Sequence, residues 1–364
     1  MKNIIEYLPT GWEEKARKLG AMQRNSGVIR SAEALLRLNM LYVTNEGSFQ
    51  MAAMGMALTE GIKLSKVAAF KRIAKSGEWL RWMAKELCAD QGATIAKPEF
   101  LGDRHVKLLD ASDETTKGKD KSAWRLHYMF NLFEFQCASM DLTTNKEGER
   151  LTRHKVEEDD IMIADRIYCT VSGIEHVLKS KGDFVLRFKS KAFILYDESG
   201  ERLDLLSFLR HLKPLESTDV HVFYKLPTGE LRPLRIVAMK KDAKAALETK
   251  RKMLRKVSKK QEQPVQADTM ELNEYVVLAT SLDYTNEQIL ELYRARWQIE
   301  QVFYRLKSLF GYDNVPSKNP DTVKAWFYGK LFLAALCESI LKKVDFPPEL
   351  DCALVDIIGA QFMG

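Results

Sequence analysis

Two aspartates and one glutamate are the residues whose types and positions in this sequence could support catalysis. Asp110 directly follows the strand-like run His105–Leu109, and Asp165 directly follows the apolar run Ile161–Ala164. Glu300 lies much later, in a charged segment with helical spacing. Carboxylate oxygens are the ligands that Mg²⁺ prefers in proteins. Each of the three carboxylates is therefore a candidate for catalytic or metal-binding chemistry.

The first aspartate has two alternatives nearby, Asp103 and Asp113. Asp110 is the best candidate because an apolar strand leads directly into it. The alternatives stay open at this point, since the ends of strands are the least well defined part of a sequence-based assignment.

Glu300 belongs to a segment that predicts a long helix with a polar stripe. A capping box at Thr285 and Gln288 starts this helix, and Gly311 ends it after Phe310. At about 100° per residue, four polar residues share one narrow stripe: Tyr293, Arg296, Glu300 and Lys307. An apolar stripe lies directly beside it, formed by Leu292, Ile299, Phe303, Leu306 and Phe310. The polar stripe should therefore border the core; the alternative is a solvated face with an Arg296–Glu300 ion pair.

The charge distribution points to an anionic partner. The chain has 364 residues and a net charge of +6, and ten Lys or Arg against two acidic residues lie between Lys240 and Lys260. Such a segment predicts salt-dependent DNA affinity, although a solvated charged helix or loop explains it too. The five cysteines include no CxxC pair and indicate neither a disulfide framework nor a zinc site.

The elements that position these residues indicate an α/β protein. Residues 1–95 predict a helical domain whose Lys71, Arg72 and Lys75 form either a DNA-binding face or a solvated basic face. Residues 96–189 predict three strands, a strand ending at Asp165, a helix and a further strand, which is the order of a ribonuclease H-like mixed sheet. We expect a β-rich insertion over 190–275, the rest of the catalytic domain over 276–335 and a C-terminal helical segment over 336–364.

No membrane association is expected. The N-terminus has no long apolar run of a signal peptide. The most apolar stretch, Trp326–Leu341, contains Lys330 and Glu338 and is shorter than the ~20 residues of a membrane span. A core helix and a cytoplasmic, nucleoid-associated protein are the resulting expectations.

The spacing of the polar stripe resembles a known motif. Tyr293, Arg296, Glu300 and Lys307 match at all four positions the Tyr-x2-Arg-x3-Glu-x6-Lys pattern of DDE transposases of the insertion-sequence-four type. The runs Leu108-Leu109-Asp110-Ala111-Ser112 and Ile163-Ala164-Asp165-Arg166-Ile167-Tyr168 resemble the first and second aspartate sites of that family. The resemblance covers most of residues 30–335.

This resemblance implies an enzyme that cleaves DNA at insertion-sequence ends and transfers the strand into target DNA. Asp110, Asp165 and Glu300 would be catalytic and would hold two Mg²⁺ ions, for which Mn²⁺ can substitute. The implied partners are the inverted-repeat DNA of the transposon end, target DNA and a second copy of the chain in the DNA complex. The residues expected to bind DNA are Tyr293, Arg296, Lys307, Arg166, Lys240, Lys241, Arg251 and Lys252.

Two other functions remain open: a ribonuclease H-like nuclease without strand transfer, and a non-catalytic DNA-binding regulator derived from a transposase. Some relatives stack a tryptophan of the insertion on a flipped base, but no Trp occurs in this region of the chain. The aromatic residues that could replace it are Phe193, Tyr196, Phe223 and Tyr224.

Overall fold

The computed structural model divides the chain into two compact units, which are described here separately. One unit comprises residues 1–92, 113–124 and 304–364, and the other comprises residues 93–112 and 125–303. The structure describes residues 2–22, 27–90, 96–116, 123–134, 136–189, 193–260, 266–310 and 314–343. Two predicted features lie outside these residues: Gly311 and the part of the C-terminal segment from 344 onward.

The helices, in chain order, are α1 (Lys2–Ile5), α2 (Trp12–Lys18), α3 (Ala32–Thr44), α4 (Phe49–Glu60), α5 (Lys66–Ile73), α6 (Gly77–Asp90), α7 (Val171–Lys179), α8 (Leu205–Leu209), α9 (Ala243–Lys260), α10 (Ala267–Leu272), α11 (Asn286–Arg294), α12 (Trp297–Phe310) and α13 (Pro320–Lys343). The strands are β1 (His105–Thr116), β2 (Ala123–Asn131), β3 (Gln136–Thr144), β4 (Asp160–Ala164), β5 (Asp183–Arg187), β6 (Ser217–Lys225), β7 (Leu231–Lys240), β8 (Tyr275–Thr280) and β9 (Asn314–Val315).

The first unit contains the N-terminal helices and α13. Ser31, Ser48 and Ser65 cap α3, α4 and α5, and each hydroxyl accepts a hydrogen bond from a backbone N–H three residues later. α13 packs against α6 and α3, and its Trp326 is buried, as predicted for a core helix. No helix within the described residues is long and apolar enough to cross a membrane.

The strands within the described residues form one mixed sheet, in the order β3-β2-β1-β4-β5-β8-β7-β6. β4 pairs in parallel with β1 and β5, whereas β8 is antiparallel to β5 and to β7. β9 pairs with the last residues of β1, Thr115 and Thr116. The predicted mixed α/β class is therefore correct. The strands β6 and β7 of the predicted insertion extend this same sheet, and helices α8, α9 and α10 accompany them.

Two local predictions differ from the structure. The helix expected to be continuous from Thr285 is divided, because α11 ends at Arg294 and α12 begins at Trp297. The predicted capping box at Thr285 and Gln288 is present. The strand expected over His105–Leu109 continues past Asp110 and ends at Thr116 as β1.

Candidate active site

The register of three parallel strands brings three charged residues into one row. Leu109 of β1 pairs with Ala164 of β4, and Ala164 pairs with Leu186 of β5. The residues that follow are Asp110, Asp165 and Arg187. Neighbouring strands lie roughly 4.8 Å apart. The register therefore places the two predicted aspartates side by side, with an arginine next to the second.

The two aspartates are both held by the backbone. Asp110 Oδ1 accepts a hydrogen bond of 2.8 Å from the N–H of Ala111, and Asp165 Oδ1 accepts one of 2.6 Å from the N–H of Arg166. Burial raises the pKa of Asp110 to about 6. The charges of Glu300 and Asp165 act in the same direction, while the Ala111 N–H and the Arg296 guanidinium oppose the rise.

Glu300 approaches these aspartates from the first turn of α12. Arg296 lies at the break between α11 and α12, and its Nη2 donates to Glu300 Oε1 at 2.5 Å. Its Nη1 lies 3.9 Å from Asp110 Oδ2, and its guanidinium lies 5.8 Å from the ring centroid of Tyr293. Because these contacts link α12 to β1, the structure brings Tyr293, Arg296 and Glu300 close to Asp110.

The three candidates for the first aspartate differ in their burial and surroundings. Asp103 is exposed in a turn before β1 begins, and Asp113 is exposed near the other end of β1. Asp110, by contrast, is partly buried and lies within electrostatic range of both Asp165 and Glu300. These surroundings favour Asp110 as the first aspartate of the candidate site.

The donor set suits a hard divalent cation, because it consists of carboxylate oxygens. Among the residues that the structure describes, however, no group of three or more His, Cys, Asp or Glu side chains is close enough to hold a metal ion. Arg296 bonds to Glu300 and approaches Asp110, so its guanidinium supplies the positive charge at these carboxylates. The carboxylates fit Mg²⁺ by their chemistry.

Comparison with known proteins decides the family. The family model described as "Transposase DDE domain" matches residues 102–337. The chain belongs to the DDE transposase family. It is 30% identical over 349 residues to InsL of insertion sequence element IS186A from Escherichia coli strain K12, covering 93% of each chain. It is also 30% identical over 350 residues to the transposase of element IS421 from Escherichia coli, again covering 93% of each chain. A shorter match, 41% identical over 73 residues, is to the transposase of element IS231F from Bacillus thuringiensis subsp. israelensis. It covers 20% of this chain and 15% of that transposase. The protein is therefore a DDE transposase.

In this transposase a group of cations adjoins the carboxylates. Arg166, Arg187 and Lys189 line a cavity of about 190 Å³ together with Asn273. Burial lowers the pKa of Arg187, and the positive charge of Arg166 acts in the same direction. Arg187 donates to the carbonyl oxygen of Tyr275 at 2.8 Å. Arg166 was predicted from the sequence, whereas Arg187 was not. Arg187 lies beside Asp165 because of the register between β4 and β5, which the sequence pattern does not reveal.

The predicted basic segment of the transposase has two different parts. Lys240 is the last residue of β7, and Lys241 begins the turn to α9. Both amines bond within the protein. Lys240 Nζ donates to the carbonyl oxygen of Leu212 at 3.0 Å, and Lys241 Nζ donates to the carbonyl oxygen of Asn273 at 2.7 Å. Burial lowers the pKa of Lys241 to about 8, with the charges of Arg187 and Arg166 as further causes. Arg251 and Lys252 are instead exposed on α9. The side chains of residues 256–260 lie outside the described part.

The four aromatic residues of the predicted insertion differ in burial. Phe193 and Tyr224 are buried and pack against each other with ring centroids 5.6 Å apart. Tyr196 and Phe223 are partly exposed, and Lys225 Nζ lies 4.3 Å from the ring centroid of Tyr196. A base could therefore stack on Tyr196 or Phe223 without disrupting the core. Stacking on Phe193 or Tyr224 would disrupt the core, because both rings are buried in it.

Proposed function

We propose that this DDE transposase performs metal-dependent cleavage of DNA at the ends of an insertion sequence and then joins the freed end to target DNA. We further propose that it belongs to the insertion-sequence-four type and has a ribonuclease H-like catalytic core. The observation that carries the proposal is the row formed by Asp110 and Asp165, which Glu300 approaches from α12 through Arg296.

The catalytic groups in this proposal are three carboxylates. Asp110, Asp165 and Glu300 would hold two Mg²⁺ ions, or Mn²⁺ in their place. A pair of divalent ions supplies activation of the attacking oxygen and stabilisation of the leaving oxygen in an in-line displacement at phosphorus. Water is the nucleophile for cleavage and the 3′-hydroxyl of the transposon end is the nucleophile for joining, so no covalent bond to the protein is required.

The cations and Tyr293 would position the DNA backbone. Arg296 has a planar guanidinium suited to gripping two phosphate oxygens. Arg166, beside Asp165, adds a positive charge close to the same carboxylates. Tyr293 carries a hydroxyl and a ring that already packs under Arg296. Phosphate contacts of this kind fix the register of the DNA rather than its sequence.

A more general affinity for DNA would come from α9. Its exposed Arg251 and Lys252 lie among further lysines and arginines on one helix of 18 residues. Neutralisation of DNA phosphates by such groups releases counterions and weakens as salt rises. We propose inverted-repeat DNA and target DNA as substrates, a homodimer as the form that binds them, and the nucleoid in the cytoplasm as the place of action.

A cleavage and joining assay tests this proposal. The full chain is incubated with Mg²⁺, a labelled DNA fragment carrying the inverted repeat of the element and a supercoiled target plasmid. We expect nicked or cut ends and a labelled plasmid, both lost when EDTA is added. Cleavage without any joined product would favour a nuclease of the same fold, and binding without cleavage would favour a non-catalytic regulator.

A further inference from the structure

The last residue of the four-residue motif is held by a buried carboxylate. Lys307 Nζ lies 3.1 Å from Glu114 Oε1, and the side chains are 39% and 2% exposed respectively. Asp113, on one side of Glu114, is exposed, whereas Thr116 is buried. Because alternate residues of a strand point to opposite faces, the end of β1 turns Glu114 inward.

A buried charged carboxylate is expensive unless an opposite charge meets it. Lys307 supplies that charge from α12, seven residues after Glu300 along the same helix. An ammonium group has three N–H donors, and the Lys307 side chain keeps more than a third of its surface exposed. One donor can therefore bond to Glu114 while the others are available to a ligand from solvent.

We propose that Glu114 is a positioning residue, which fixes the ammonium of Lys307 so that its remaining donors meet a DNA phosphate during strand cleavage. This inference rests on the proposed function. A free lysine side chain loses much rotamer entropy when it binds. The bond to Glu114 imposes that order before DNA arrives, and a charge-assisted bond holds it more firmly than a neutral one. Glu114 acts through Lys307 and needs no contact with DNA.

A double-mutant cycle on cleavage tests this role. The variants are Glu114→Gln, Lys307→Met and the double variant, measured in single turnover at saturating end DNA with Mg²⁺. We expect Glu114→Gln to slow cleavage about tenfold with nearly unchanged DNA affinity, and to have no further effect once Lys307 is Met. Equal slowing in both backgrounds would overturn the proposal, because Glu114 would then act independently of Lys307.

Two controls separate positioning from folding. Glu60→Gln removes a carboxylate from another ion pair of the same unit, Arg37–Glu60 at 2.6 Å, and should leave the cleavage rate unchanged. Glu114→Asp keeps the charge, so this variant should cleave DNA faster than Glu114→Gln. It keeps the test informative if Glu114→Gln folds poorly. A rate for Glu114→Asp no better than for Glu114→Gln, at equal melting temperature, would contradict a role of the charge.

A readout without catalysis keeps this inference distinct from the proposed function. An amine that donates to a carboxylate must leave it before it can be acylated. Pulse acylation with acetic anhydride, quantified by mass spectrometry against the other lysines of the digest, should therefore label Lys307 several-fold faster in Glu114→Gln. Unchanged labelling would overturn the positioning role even if the enzyme cleaves DNA, and faster labelling in an enzyme that does not cleave would count against the proposed function alone.

Discussion

Arg296 Nη2 donates to Glu300 Oε1 at 2.5 Å, and the same guanidinium reaches to within 3.9 Å of Asp110. The residue expected to grip DNA phosphate is thus bonded to one of the expected metal ligands. Its Nε is buried without a hydrogen-bond partner among the described residues. If the proposed function is correct, Arg296 has two competing sets of partners, the carboxylates and a DNA phosphate, and exchanges between them as the active complex assembles.

Replacement of Arg296 should separate metal binding from catalysis. In Arg296→Gln the guanidinium no longer competes for Asp110 and Glu300, so Mn²⁺ should bind the DNA-free protein several-fold more tightly by isothermal titration calorimetry. Cleavage should nevertheless fall by about 100-fold or more, because a charge-assisted phosphate contact is lost. Arg294→Gln, exposed on α11 two residues earlier, is the matched control. Weaker Mn²⁺ binding in Arg296→Gln would contradict the competition.

Glu300→Gln should abolish cleavage while DNA-end binding stays largely intact. The substitution preserves the size of the side chain and removes the charge that binds a divalent ion. Gel-shift affinity and Mg²⁺-dependent nicking, measured on the same preparation, check this. Glu287→Gln, exposed in the first turn of α11, should behave as wild type. Nicking by Glu300→Gln at the wild-type rate would remove Glu300 from the site.

The free energy of unfolding of the protein should fall in mild acid. Burial lowers the pKa of His127 and of His154 to about 4, from an ordinary 6.5. Between pH 6.5 and 4 the unfolded chain binds protons that the folded chain does not, so stability falls as the pH falls, by at most about 1.4 kcal/mol per pH unit for each histidine. The melting temperature of His154→Gln should therefore change less between pH 7 and 5 than that of the wild type. His221→Gln, with a side chain 80% exposed, should keep the wild-type slope.

The two parts of the basic segment should respond differently to substitution. Arg251→Gln with Lys252→Gln should weaken nonspecific DNA binding and reduce the slope of log K against log salt by roughly 2 if both residues contact phosphates. Lys241→Met should instead lower the melting temperature, because its amine donates to Thr249 Oγ1 and to the carbonyl of Asn273. Fluorescence anisotropy at several salt concentrations and thermal denaturation check the two outcomes. An unchanged salt slope in the α9 double variant would exclude these residues from DNA binding.

The sequence was informative where a local pattern determines the structure. The apolar run before Asp165 predicted the end of β4 correctly, whereas β1 continues past Asp110 to Thr116. The spacing of Leu292, Ile299, Phe303 and Leu306 predicted a buried face that the structure confirms. The break before Trp297 could not be predicted, because neither Pro nor Gly interrupts the segment from Thr285 to Phe310.

Other features depend on contacts distant in sequence. Arg187 adjoins Asp165 only through the pairing of Ala164 with Leu186. Glu114 follows Asp113 in a polar stretch whose sequence predicts exposure, whereas the structure buries Glu114 and places Lys307 of a distant helix against it. Such pairings follow from register and packing, which a single sequence does not encode as a local pattern.

The central claim is that Asp110, Asp165 and Glu300 share the catalytic metal ions. Its most direct test is a crystal structure of the transposase with transposon-end DNA and Mn²⁺, in which anomalous diffraction locates the manganese. We predict anomalous peaks at coordination distance from carboxylate oxygens of all three residues, with Arg296 turned from Glu300 to a DNA phosphate. Manganese held by other side chains, or any one of the three carboxylates remote from it, would contradict the account.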